Sequence, residues 1–188
     1  MPHIHTAPGQ HDMTVSAYVV RHVNGEWFCL VHMHKKIDML MQIGGHIDLD
    51  QTPWQALAAE LREETGYELA EVSVLQPFAG VPEITDAVVH PAPLLMNTRD
   101  VGGGHYHSDT CYAFVATAEP KGALAENESA DLRWLTLAEL QDASKNGEAL
   151  QDTVEIYTYL LAHLENLTLV SASSFSLAKP TKGITYKR

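Results

Sequence analysis

Residues 52–66, TPWQALAAELREETG, constrain this chain most, because they spell one short helix with both ends marked. Thr52 is a good N-cap, Pro53 suits the first helical position, and Gln55 completes a Thr-x-x-Gln capping box. Gly66 sits where a left-handed residue ends a helix. At about 100° per residue, Trp54, Leu57, Ala58, Leu61 and Thr65 share one arc, the expected core face. Glu60, Glu63 and Glu64 share the adjacent arc, with only Ala56 one turn earlier. Like charges so placed weaken an isolated helix by about 0.2–0.5 kcal/mol a pair, so something must offset them. One answer is a solvated acidic face. The other is a hard divalent cation, held by few carboxylates plus water and substrate phosphates. Gly44 and Gly45 favour the second, because a Gly-Gly turn ahead of the helix can bring a backbone carbonyl close to an ion.

The segment 45–67 resembles the Nudix box, G-x5-E-x7-R-E-U-x-E-E-x-G-U with U bulky and apolar. Gly45, Glu60, Leu61, Glu63, Glu64 and Gly66 match in register, and Tyr67 is an aromatic at the last position. Gln51 stands where the family has its first Glu, and Ala59 where it has Arg. Loss of both is less damaging than loss of one, which would leave a charge without its partner. Arg62 lies on the opposite flank from Glu60 and does not replace the missing Arg. The resemblance implies an α/β fold, an α/β/α sandwich with a mixed sheet. It also implies an enzyme acting on phosphorus-containing anhydrides, with Mg²⁺ or Mn²⁺ as cofactor. The metal would sit at Gly44, through its carbonyl, and at Glu60, Glu63 and Glu64. Glu63 and Glu64 would also be catalytic. Glu128 joins them, because relatives often add a carboxylate from a loop shortly before a strand carrying a Trp, here Trp134. Glu126 is the alternative in the same acidic loop, ENESAD.

The remaining sequence bounds these expectations. A chain of 188 residues with 45% hydrophobic content suits one domain, 1–165, followed by a segment 166–188 read as a solvated tail or an added strand packing on a second subunit. A homodimer is therefore left open. The basic end carries Lys179, Lys182, Lys187 and Arg188. A net charge of −12 argues against nucleic acid as the ligand and is compatible with a small phosphorylated nucleotide-like substrate bridged by metal. Cys29 and Cys111 form neither a CxxC pair nor a disulfide framework. The N-terminus has no apolar signal region and no stretch reaches membrane-spanning length, so a cytoplasmic location is expected.

Alternating patterns place a β-hairpin at 13–23 and 26–32 around the Asn24-Gly25 type I′ turn signal, and a strand at 39–43. Further strands are expected at 69–78, 87–96, 108–118 and 131–135, with helices from Thr136 to about Ala143 and from Glu148 to Leu164. His32 with His34, and His105 with His107, have strand spacing and would face one side each. They read as polar strand-end residues, substrate-lining groups or transition-metal ligands, with no HExxH or similar spacing to select the last. Trp27, Tyr106 and Tyr112 are the aromatic candidates for stacking on a base.

The expected function is metal-dependent hydrolysis of a pyrophosphate bond in a small nucleoside-diphosphate-linked substrate. The alternative is a non-catalytic nucleotide-binding or sensor module on the same fold. An isomerase reading would need Cys29 or Cys111 to be catalytic, and both sit in apolar strand-like surroundings.

Overall fold

A computed structural model of the chain describes residues 7–180. Its sheet has nine strands among these residues: β1 (His11–Val23), β2 (Glu26–His34), β3 (Met39–Met41), β4 (Ile43–His46), β5 (Val72–Gln76), β6 (Leu95–Gly102), β7 (His105–Ala116), β8 (Leu132–Thr136) and β9 (Thr168–Ser171). The long path runs β3-β2-β1-β7-β5-β9, with β4 paired to β1, β6 to β7 and β8 to β2. Only β1 and β7 among these pairs run parallel, so the sheet is mixed. Helix α1 (Pro53–Thr65) covers one face; α2 (Leu137–Lys145) and α3 (Gln151–Ala162) cover the other. The expected α/β/α sandwich is the architecture found.

Strand alternation in β1 builds both cores. Val15, Ala17 and Val19 pack with Trp54, Leu57 and Leu61 of α1 and with Tyr112 and Phe114 of β7. Tyr18 and Val20 pack on the reverse face with Cys29, Val31, Leu140, Tyr157 and Leu160. Tyr157 stitches that face together: its hydroxyl donates to the Leu30 carbonyl at 2.5 Å and accepts from the Val19 N–H at 3.2 Å. Both partners are buried, so Tyr157→Phe leaves them unsatisfied and should cost about 1–3 kcal/mol. Urea unfolding followed by tryptophan fluorescence reads that loss; an unchanged midpoint would exclude the bond as a stabilising element.

The ends of α1 and of the first hairpin form as their local signals predict. Thr52 and Gln55 make both bonds of the capping box, and Gly66 takes φ 77°. Asn24 and Gly25 have φ 51° and 89°, as a type I′ turn requires. Elsewhere the structure corrects the sequence reading. Gly44 and Gly45 are not a turn but lie within β4, opposite Ser16 and Val15. The segment 69–78 begins as a 3₁₀ turn, Leu69–Glu71, before β5. The expected strand 87–96 is irregular up to Leu94, because Pro91 and Pro93 lack ladder donors, and the strand starts at Leu95. The buried Gln76 amide organises that loop, donating to Phe78 and Gly80 carbonyls and accepting from Ala92 N–H. Helix α3 starts at Gln151 rather than Glu148, whose N–H is taken by the Ala143 carbonyl.

Beyond residue 165, β9 pairs antiparallel with β5 in this chain's own sheet, and Ala172 and Phe175 enter the core beneath α1. Lys179 Nζ stands 3.9 Å from Asp50 Oδ2. Lys182, Lys187 and Arg188 lie outside the described residues. No described helix is long and apolar enough to cross a membrane.

Candidate metal and active site

Helix α1 docks beneath β4, and the two glycines of β4 decide how closely. A Cβ on Gly45 would lie 2.1 Å from Glu60 Oε1, so the absent side chain is the space the carboxylate fills. Gly44, at φ 149°, donates its N–H to Glu64 Oε2 at 2.9 Å. Glu60 and Glu64, one turn apart, are thus drawn against consecutive residues of one strand. The acidic edge is less open than helical spacing suggests. Ala56 and Glu64 are buried, whereas Ala58, expected in the core, is only half-buried.

Burial pushes the Glu60 carboxyl up to about 7, with the charges of Glu63, Glu128 and Asp48 adding to it. Burial likewise pushes Glu64 up to about 9; the Gly44 N–H bond opposes this, and the charges of Glu60, Glu128 and Glu63 reinforce it. No cationic side chain is among these causes for Glu64. Its neighbour His32, with Nδ1 3.6 Å from Glu64 Oε1, is held at about 4 by burial and by His34, and so is neutral. That separation is too long for a hydrogen bond. Crowded carboxylates, Glu64 buried and Glu60 partly buried, beside a neutral imidazole form an oxygen-rich donor set that fits a hard divalent ion.

The other predicted residues are placed unequally. Glu63 is half-exposed and its Oε1 stands 3.4 Å from Arg62 Nη2. Its backbone carbonyl accepts from Ala125 N–H, while Lys35 donates to the Asn127 carbonyl at 2.6 Å; these bonds tie the acidic loop to α1 and to the end of β2. Within that loop Glu128 acts electrostatically on Glu60, Glu64 and His34. Glu126 is exposed and figures in none of those shifts. Gln51 uses its side-chain oxygen to accept from Asp48 N–H at 3.2 Å, closing the turn before α1. Beside the carboxylates, sequence reasoning placed His32 on a face but not against Glu64. That contact depends on how α1 packs beneath β4 and β1 and carries no local signal.

Several alternatives lose their footing. Both cysteines are fully buried; burial pushes the Cys29 thiol up to about 12, and burial and Asp109 raise Cys111 further. Neither is a poised nucleophile. Tyr112 is a core residue edge-on to Trp54, while Tyr106 stacks on His11 at 5.0 Å and keeps part of its surface open. A depression of about 540 Å³ between residues 81–89 and Ser174 and Ser176 shares none of the carboxylate-site residues.

Comparison with known proteins adds to this geometry. The family model described as NUDIX domain matches residues 10–154. A NUDIX-family hydrolase from Clostridium perfringens superposes with a TM-score of 0.63 at 24% identity, over 81% of this chain and 97% of that one. A C. elegans Ap4A hydrolase gives 0.57 at 16%, over 80% and 98%. A bifunctional NMN adenylyltransferase/ADP ribose pyrophosphatase from Francisella tularensis, complexed with AMP and a Mn ion, gives 0.54 at 21%, over 83% of this chain and 42% of that one. At these identities the structural likeness speaks to the fold. No curated protein matches the sequence.

Proposed function

The chain belongs to the Nudix family, and from that premise we propose that it hydrolyses a pyrophosphate bond in a small nucleoside-diphosphate-linked substrate with Mg²⁺ or Mn²⁺. The observation that carries this reading is the carboxylate pair, Glu64 buried against Gly44 and Glu60 partly buried against Gly45, with no protein cation among the causes of Glu64's shift. Glu60, Glu63, Glu64 and the Gly44 carbonyl would hold the cation. A bound divalent ion would neutralise phosphate charge and lower the pKa of the attacking water.

The protein's own groups divide the remaining work. The Gly44 N–H orients Glu64, and the vacant Cβ position of Gly45 admits Glu60. Glu63, Glu64 or Glu128 takes the proton from water, and Glu128 reaches the site on a loop tied to both α1 and β2. Gln51 and Ala59 remove an acid and a base together, so no charge is stranded there. The presence of an Ap4A hydrolase and an ADP ribose pyrophosphatase among proteins of this fold supports a nucleotide-linked substrate.

Incubating the chain with a panel of nucleoside-diphosphate derivatives and Mg²⁺ or Mn²⁺, with every product identified, tests this reading. Release of a mononucleotide together with the phosphorylated remainder of the substrate is expected, and only with the metal present. Absence of release from every member, with nucleotide still bound, would replace it with the non-catalytic module.

A further inference from the structure

On the opposite face of the sheet from α1, a second set of donors converges that the hydrolytic reading leaves unused. Parallel pairing sets Asp12 of β1 opposite His107 of β7, and His105 precedes it by one alternation on the same face. Antiparallel pairing sets His46 of β4 opposite Thr14, which brings its ring to Asp12. Asp12 Oδ2 is 3.3 Å from His105 Nε2 and 3.5 Å from His46 Nε2. One donor atom each from Asp12, His105 and His107 lies within 4.8 Å of the others. The His107 ring meets His105 and His46 edge-on, with centroids 5.4 and 4.8 Å away. Asp12 and His105 are buried, and just inside them Thr14 Oγ1 donates to Asp109 Oδ1 at 2.8 Å, engaging that carboxylate within the sheet.

The 3.3 Å between Asp12 and His105 has a metal's dimensions. Two donors about 2.0–2.1 Å from a tetrahedral ion stand roughly 3.3–3.4 Å apart. A charge-assisted N–H···O bond would be shorter, about 2.7–2.9 Å. Imidazoles with one carboxylate select borderline first-row transition ions over Mg²⁺, which favours oxygen. The site also differs from the glutamate site in position: adjacent residues of β4 point to opposite faces, Gly45 toward Glu60 and His46 toward Asp12.

We propose that Asp12, His105 and His107 bind a first-row transition ion of the zinc class, with His46 at its edge, clamping β1, β4 and β7 behind the Gly45–Glu60 contact. The inference is independent of the hydrolytic reading, and its readout is the bound metal itself. Untagged full-length chain, stripped with chelator, is titrated with Co²⁺ in excess Mg²⁺; visible absorption and metal content are measured, followed by displacement with Zn²⁺. About one Co²⁺ per chain, in a nitrogen–oxygen environment and displaced by Zn²⁺, is expected. Asp12→Asn and His105→Gln should each weaken binding by at least about 100-fold, and Glu60→Gln should not change it. Because the buried positions could disturb folding, His107→Gln, at a half-buried site, is the second variant. Zn²⁺ should raise the melting temperature of the wild type and not of this variant. Absence of Co²⁺ absorption in the wild type, its survival in Asp12→Asn and His105→Gln, or its loss in Glu60→Gln would overturn the proposal.

Discussion

Glu64→Gln should lower turnover by about 100-fold or more while leaving the fold intact, since removing a group that handles protons or charge in the transition state costs roughly 10²–10⁴. The side chain is buried and anchored: its Oε2 accepts the Gly44 N–H, a bond the glutamine oxygen can keep. What glutamine cannot supply is the negative charge, which at this position is opposed by burial and by Glu60, Glu128 and Glu63. An amide therefore suits the metal-free site at least as well as the acid, and circular dichroism and the thermal midpoint should match the wild type. Steady-state kinetics with saturating Mg²⁺ measure the effect. Unchanged turnover would remove Glu64 from the catalytic assignment.

The neighbouring glycines should respond to alanine in opposite ways. At Gly45 a Cβ meets only the far end of the Glu60 side chain, 2.1 Å from Oε1 and 2.6 Å from Cδ. The carboxylate can swing aside, so the fold should survive, while displacement of Glu60 by an ångström or more should lower turnover by up to about 100-fold. At Gly44 a Cβ meets backbone, 2.2 Å from the Val15 carbonyl oxygen and 3.0 Å from Ser16 Cα, at a φ of 149° that side chains rarely adopt. Here β4 and β1 would have to separate, with an expected loss of about 1–3 kcal/mol or more. Urea midpoints and turnover measured for both variants distinguish the two cases. A Gly45→Ala enzyme with wild-type turnover would show that Glu60 does not need that position.

The contrast explains how much of the site could be read in advance. Helix α1 was legible because its boundaries are set by Thr52, Gln55, Pro53 and Gly66, whose bonds span three or four residues. The Asn24-Gly25 hairpin was legible for the same reason. Gly44 and Gly45 were recognised as important but misplaced in a turn, since the need for glycine arises from Val15 and Glu60, both remote in sequence. Glu128 was reached through the resemblance and a loop-to-Trp134 spacing. Its electrostatic reach to Glu60 and Glu64 depends on the loop's attachments to Glu63 and Lys35. Residues 87–94 carry a short apolar run like that of a strand, but Pro91 and Pro93 lack ladder donors and the strand starts at Leu95.

By itself the sequence determined the capped helix, the arc of three glutamates and the family resemblance, because these rest on local hydrogen bonds and fixed helical spacing. Only the tertiary structure decided that Glu64 is buried against Gly44 and His32 while Glu63 remains half-exposed. It alone gathered Asp12 with His46, His105 and His107. Spacing within a strand tells which side chains share a face. The register between β1, β4 and β7 tells which faces meet, and that depends on the packing of the whole sheet between its helices.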